Sequence, residues 1–218
     1  IRITREFVVA SERAARAGFD MLELHCGHGY LLASFLSPLT NKRTDEYGGS
    51  VENRLRFPRE VFSAMRAVWP VGRPMSVRVS GSDWRDDGLS EGDLLAISES
   101  FRDAGCDLID VSAGQTVPDQ QPVYGRMFQT QFSEAVSNIS KIATMTVGAI
   151  TDPAQVNTIL HTRRAELVAI GRAHLWNPYF VHQAAAWYGA RNDAMWPKPY
   201  LSGAAQGFRE QSRVRGKL

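Results

Sequence analysis

The stretch His25-Cys26-Gly27-His28-Gly29-Tyr30 concentrates imidazole, thiol and phenol at the end of a short apolar run, Met21–His25, that reads as a β-strand. Strand alternation puts Glu23 and His25 on one face. The two glycines let the chain turn and present His28 and Tyr30 from the loop. Two imidazoles converging on one point can donate to an oxygen that gains negative charge, and a phenol beside them can deliver a proton to carbon. A lone histidine or tyrosine is ordinarily a packing residue, but three such groups crowded at one strand end are expected to form a site. A metal held by His25 and His28, with Cys26 or Glu23 as third ligand, is the competing chemistry. The pair is not spaced along a helix face and no second histidine pair completes a ligand set, so no metal is expected.

Two further groupings point to a bound ligand. Gly148 and Gly171-Arg172 close consecutive strand-like runs, Thr144–Gly148 and Leu167–Gly171. Glycines there leave backbone N–H groups open to a phosphate, and Arg172 adds a cation able to bind it in bidentate fashion. The plain alternative is a pair of turn residues. Arg78 interrupts the apolar run Val77-Arg78-Val79. A charge inside a strand covered on both faces needs an acceptor, which Glu23 or an electron-rich carbonyl of a ligand could supply. The polar loop Asn41–Ser50 reads as long, ordered and structural.

The elements that must position these residues alternate. Strands are expected at Met21–His25, Met75–Ser80, Leu108–Ser112, Thr144–Gly148 and Leu167–Gly171. Helices are expected at about Val51–Trp69, Glu91–Ala104, Pro153–Leu160 and Tyr179–Tyr188, besides a helical start to the chain. In the first of these, Leu55, Val61, Phe62, Met65 and Trp69 form an apolar stripe, Ser50 is placed to cap it and Pro70 lies just beyond its end. Strands followed by crossovers imply a parallel sheet. The glycine-rich dinucleotide turn of doubly wound folds is absent, which favours a (β/α)8 TIM barrel. Barrel phosphate sites recur after strands seven and eight. On that rule the visible strands are about four to eight, and three more are expected before Ile1. No linker divides residues 1–190, which read as one portion of such a barrel. Residues 191–218 read as a C-terminal extension without clear pattern and partly mobile.

Composition bounds the partners. Of 218 residues, 44% are apolar and 22% charged, with 25 Lys+Arg against 23 Asp+Glu and a net charge of +2. So balanced a chain offers no extended surface for nucleic acid. No run approaches the ~20 apolar residues of a membrane span, and no targeting segment is evident, so a cytoplasmic location is expected. Cys26 and Cys106 are too few for a disulfide framework and are expected to be reduced.

Taken together, Glu23-Leu24-His25-x-x-His28-Gly29-Tyr30-Leu31, Phe35-Leu36-Ser37-Pro38 and Arg43-Thr44-Asp45-Glu46-Tyr47-Gly48-Gly49-Ser50-x-Glu52-Asn53-Arg54 resemble the old yellow enzyme family of FMN-dependent NADH:flavin oxidoreductases. Within it, the sequence resembles the branch that includes the NADPH dehydrogenases and xenobiotic reductases. Asp107–Thr116 and Pro122–Thr130 further resemble the reductase-like C-terminal part of bifunctional salicylyl-CoA 5-hydroxylases. The resemblance covers about residues 1–190. It implies a flavoprotein barrel in which His25 and His28 bind the substrate's carbonyl oxygen and Tyr30 donates the proton. It also implies that Arg78 contacts the flavin and that Gly148, Ala149, Gly171 and Arg172 hold its phosphate. Ala149 can contribute only its backbone.

The implied reaction is that of an ene-reductase: hydride passes from NAD(P)H through FMN to an α,β-unsaturated carbonyl compound or an acyl-CoA. A homo-oligomer and a monooxygenase segment fused upstream are both compatible with the resemblance. The early strands of the family's barrel, with their flavin contacts, have no counterpart in this chain, so the isolated piece is expected to bind flavin poorly and to be inactive alone. The rivals are a non-redox, phosphate-binding barrel enzyme of aldolase or isomerase type, and a non-catalytic scaffold domain of a larger hydroxylase.

Overall fold

The computed structural model describes residues 2–192 and 196–216. A first helix, α1 (Arg2–Ala17), leads through the Gly18 turn into β1 (Leu22–Cys26). After the short helix α2 (Ala33–Leu36) and the polar loop comes α3 (Val51–Val68), where Ser50 accepts a hydrogen bond from the Asn53 N–H as N-cap. This helix buries Leu55, Val61, Phe62 and Met65 and ends where Trp69, preceding Pro70, turns extended, as residues before proline do. β2 (Met75–Ser80) and β3 (Leu108–Ser112) flank α4 (Glu91–Asp103), which opens on a reciprocal capping box between Ser90 and Asp93. Next come α5 (Thr130–Ala135), continuing as a π-helical turn over Val136–Ser140, and β4 (Ala143–Thr146). α6 (Pro153–His161), capped by Asp152, precedes β5 (Leu167–Val168), α7 (Arg172–Trp176) and α8 (Phe180–Tyr188).

Among the described residues the strands form a five-stranded parallel sheet in the order β1-β2-β3-β4-β5. Right-handed crossovers that always step in one direction put every connecting helix on the same side of a sheet. This is the winding of a (β/α)8 barrel and not of a doubly wound fold, whose strand order reverses. The two faces bear it out. Leu24, Cys26, Met75, Val77, Val79, Ile109 and Val111 are buried with Phe62, Leu94, Ile97 and Phe101 of the helices. The opposite, inner face carries Glu23, His25, Ser76, Arg78, Asp110 and Ser112, and the strand register sets His25, Arg78 and Asp110 side by side.

β4 and β5 are shorter than the apolar runs suggest. β4 stops because Gly148 and Ala149 both take positive φ, of 117° and 50°, which takes the backbone out of the extended conformation. β5 pairs with β4 alone, so only two of its residues are held in a ladder. Gly148 and Gly171 therefore stand in loops beyond the strand ends. Beyond residue 190, where no element is expected, Leu201–Arg215 forms a further helix, α9, packed on α8 with Ala204 buried. The expected mobile end falls partly in this helix, at Arg213, while Lys217 and Leu218 lie outside the described residues. Both cysteines are buried free thiols, and burial pushes Cys106 up to about 12.

The loops at the site end of the sheet are tied by buried polar groups. Asp83, 0% exposed, accepts from Ser37 Oγ–H at 2.7 Å and from the Leu89 N–H at 2.9 Å, and so joins the loop after β1 to the one after β2. The buried Arg54 pairs with Asp93 and donates to the carbonyls of Leu36 and Gly49. Asn41 donates to the carbonyls of Phe35 and Tyr47, which accounts for the order of the polar loop. Removing a charged acceptor strands two buried donors. Asp83→Ala is therefore expected to lower unfolding free energy by about 3 kcal/mol in denaturant titration, and a loss below about 0.5 kcal/mol would show that the loops do not depend on it.

Candidate active site

β1 delivers His25 to the inner face, and the turn after it delivers His28. His28 itself takes φ 58°, with its backbone N–H donating to Ser80 Oγ at 2.9 Å. Gly29 follows at φ 71°, where a Cβ would lie 2.7 Å from the Gln115 carbonyl oxygen, so only glycine fits. The turn brings the His25 and His28 rings to 5.1 Å between centroids and the His25 and Tyr30 rings to 5.6 Å. Tyr30 is 66% exposed, open to an approaching molecule. Cys26, by strand alternation, packs into the outer core and is turned away from the histidines.

A cavity of about 720 Å³ lies beside them at the C-terminal ends of the strands, within the range usual for small-molecule sites. His28, Arg78, Gly148, Ala149 and Arg172 all line it, together with Ser112, Gln129 and an aromatic wall of Trp84, Tyr124 and Phe128. His25 and Tyr30 join this group only through the ring contacts around His25. Gly171 adjoins Arg172 at the start of α7 without lining the cavity. At Gly148 a Cβ would sit 2.4 Å from Gln129 Nε2, which donates to the Val147 carbonyl at 2.8 Å, so the chain passes close under the cavity floor.

Burial, Arg78 and His25 together hold His28 down at about 4, and burial with Arg78 lowers His25 against the opposing pull of Glu23. Both imidazoles are therefore neutral at neutral pH, each with one N–H to donate. His28 Nε2 lies 2.8 Å from Ser112 Oγ.

Arg78 finds its counter-charge in Asp110, with Nε 3.2 Å from Oδ2, and its Nε–H donates to Ser112 Oγ; Glu23, one of the acceptors the sequence suggests, takes neither role. The register explains the difference. Asp110 stands directly across from Arg78, whereas Glu23 stands across from Ser76 and accepts from its hydroxyl at 2.8 Å. Asp110, Ser112 and the aromatic wall escaped the reading of the sequence. A signal existed for Asp110, a carboxylate inside the strand run Leu-Ile-Asp-Val-Ser. None marked Trp84, and Tyr124 and Phe128 fall within Pro122–Thr130, a stretch marked by resemblance alone and given no role; all three reach the cavity only through loop packing.

An arc of parallel barrel with histidines, an arginine and open glycine turns at its strand ends defines a barrel enzyme whose ligands bind at the C-terminal face. Residues 2–188 match the NADH:flavin oxidoreductase / NADH oxidase family, and the chain belongs to it. It is 44% identical over 195 residues to an NADPH dehydrogenase of Clostridium acetobutylicum, covering 89% of this chain and 56% of that protein. An NADPH dehydrogenase of Geobacillus thermodenitrificans is 43% identical over 193 residues, with 88% and 56% covered. Morphinone reductase in complex with tetrahydroNAD superposes with a TM-score of 0.68 at 28% identity, over 87% of this chain and 49% of that one. The chain thus spans about half the length of the relatives it matches, and the fold is the corresponding part of an old yellow enzyme-type TIM barrel.

Proposed function

We propose that this chain forms the substrate-binding and phosphate-binding part of an FMN-dependent oxidoreductase that reduces α,β-unsaturated carbonyl compounds with NAD(P)H. The observation that carries the reading is the convergence of His28, Arg78, Gly148, Ala149 and Arg172 on one cavity.

The residues present suit FMN. Among the described residues the amides of Gly148 and Ala149 donate to no carbonyl or side chain, and Arg172 has no ion-pair partner. These are free donors for a phosphate. Arg78 would meet an electron-rich edge of the ring system, and Gly148 leaves a floor that a side chain would fill. When bound, the flavin supplies the hydride chemistry, taking hydride from NAD(P)H and giving it to the substrate.

The chain's own groups then handle the carbonyl. His25 and His28, neutral and fixed by their turn, donate to the carbonyl oxygen and hold it as negative charge develops. Tyr30 gives its proton to the α-carbon from the open side of His25. No role falls to a metal in this reading, and among the described residues no group of three or more His, Cys, Asp or Glu side chains could hold one. Among the described residues no helix is long and apolar enough to cross a membrane.

The finer likeness of Asp107–Thr116 and Pro122–Thr130 to salicylyl-CoA 5-hydroxylases supports an acyl thioester of coenzyme A among the substrates, and a fused monooxygenase segment. Pro122–Thr130 supplies Tyr124 and Phe128 to the cavity wall. Residues 1–190 act in this reading as the barrel portion and 191–218 as an extension from it.

The decisive experiment is Arg172→Ala in the flavin-loaded protein. A charge-assisted bond of about 1.5–3 kcal/mol is lost, so FMN affinity is expected to fall at least tenfold. Unchanged flavin stoichiometry after dialysis would overturn the phosphate site, and a colourless wild-type protein carrying a sugar phosphate would overturn the redox reading.

A further inference from the structure

Asp110 is 1% exposed at the centre of the inner face. One carboxylate oxygen, Oδ2, faces Arg78 Nε at 3.2 Å, while Oδ1 is buried without a hydrogen-bond partner among the described residues. The same Nε donates to Ser112 Oγ at 3.2 Å. The Nε edge of the guanidinium is thus fully used against β3, whereas neither Nη group is bonded within the described residues and Arg78 lines the cavity. A guanidinium is a rigid plane, so fixing its Nε edge fixes where its four remaining N–H bonds point.

We infer that Asp110 is a positioning residue which aims the Nη edge of Arg78 into the cavity and, by its own charge, sets how strongly that edge attracts the acceptor edge of a ligand. The inference rests on the flavin reading of the cavity and adds to it a group that touches no ligand. With Asp110 ionised, its charge offsets that of Arg78 and the Nη edge is a weaker donor. With Asp110 neutral, the ligand meets the whole guanidinium charge.

Burial pushes the Asp110 carboxyl up to about 7, with Glu23 adding to the rise and Arg78 opposing it. The switch between the two states therefore falls in the neutral range. Besides Arg78, the ionisable groups around this face are Glu23, His25 and His28, and both histidines are lowered and stay neutral there. Met145, across from Asp110 on β4, brings no charge. Because the carboxyl is raised in the folded chain, its contribution to stability is present at low pH and lost as pH rises through about 7.

The test compares FMN dissociation constants of the wild type, Asp110→Asn and Asp110→Ala across the neutral range, each in the protein that carries the whole barrel. Titration of the FMN phosphate is common to all three and cancels in their ratios. Asparagine keeps a polar oxygen facing Nε but not the charge. The ratio of wild-type to Asp110→Asn Kd is expected to be near one below about pH 6 and to rise about tenfold by about pH 8, the equivalent of one pKa unit. Asp110→Ala, which loses that facing oxygen as well, is expected to bind about tenfold more weakly than Asp110→Asn at every pH.

A ratio that stays flat with pH overturns the charge coupling, and equal binding by the two variants overturns the positioning. Failure of the wild type to bind FMN at any pH would count against the flavin reading alone. Carbon-13 titration of the Asp110 carboxyl in the ligand-free chain then decides the pairing. An inflection near 7 that moves upward in Arg78→Met supports it, and an ordinary aspartate inflection, or one indifferent to Arg78→Met, overturns it.

Discussion

Alanine at His25 and His28 together is expected to reduce enone turnover by at least about 10²–10³-fold, the usual loss for a single donor to a developing oxyanion, while leaving FMN bound. The two rings are 5.1 Å apart and both are lowered, His28 to about 4, so each offers a neutral N–H over the pH range where such an enzyme works. Neutral donors suit this task, because a permanent imidazolium would bind the ground-state anion of a phenol or carboxylate as readily as the transition state. The two losses need not add, since both donors serve one oxygen. Two measurements check the assignment. Steady-state kinetics should show the fall in kcat/KM, and a phenolic ligand that gives a long-wavelength charge-transfer band in the wild type should give none in the double variant. If the band persists unchanged, the phenolate oxygen binds elsewhere. If instead chelators abolish activity and zinc restores it, the histidines are metal ligands.

Tyr30→Phe should separate the two halves of the reaction. The phenol stands 5.6 Å from the His25 ring and is largely exposed, on the side of the pair from which a substrate would enter. It is placed to act on the substrate and has no contact that would alter reduction of the flavin by NAD(P)H. Removing one hydroxyl is expected to slow the oxidative half-reaction with an enone about 10²-fold or more, the contribution typical of a positioned general acid. The reductive half-reaction should change less than about twofold. Stopped-flow measurement of each half separately reads the difference, and equal losses in both would remove Tyr30 from the proton-donor role. A substrate whose carbanion, formed by hydride addition, is stable enough to leave the site and take its proton from solution should show a smaller loss, which gives an internal control.

What was legible in the sequence was local. His25, His28 and Tyr30 lie within one strand end and one turn, and Gly27 and Gly29 announce that turn, so a few neighbouring residues specify the cluster. β2 and β3 occupy the ranges that their apolar runs predict, because Pro74 precedes one and Cys106-Asp107 the other, and both strands are buried on their outer face by helices. α3 was equally plain, with Ser50 at its start, Pro70 past its end and an apolar stripe between. The α5 helix and its π-helical turn were not. Thr130–Ser140 is rich in serine and β-branched residues of low helix propensity, and it is held as helix by packing of Val136 and Ser133 against its surroundings. α9 likewise contains Gly203 and Gly207, which weaken any local signal, and it forms against α8.

By itself, then, the sequence determined the parallel barrel class and the residues of the histidine-tyrosine turn, since periodicity, caps and glycines act over a few positions. Only the tertiary structure decided which partner Arg78 takes. Glu23 and Asp110 are both acidic residues on the inner face, and the choice between them is made by strand register, a property of residues more than thirty positions apart in the chain. The same register set Ser112 against His28 and Arg78, and loop packing laid Gln129 over Gly148 and raised Trp84, Tyr124 and Phe128 around the cavity. Long-range pairing chooses among groups that sequence alone leaves equivalent, because the free energy that separates them comes from distance and burial, and neither exists until the sheet has formed.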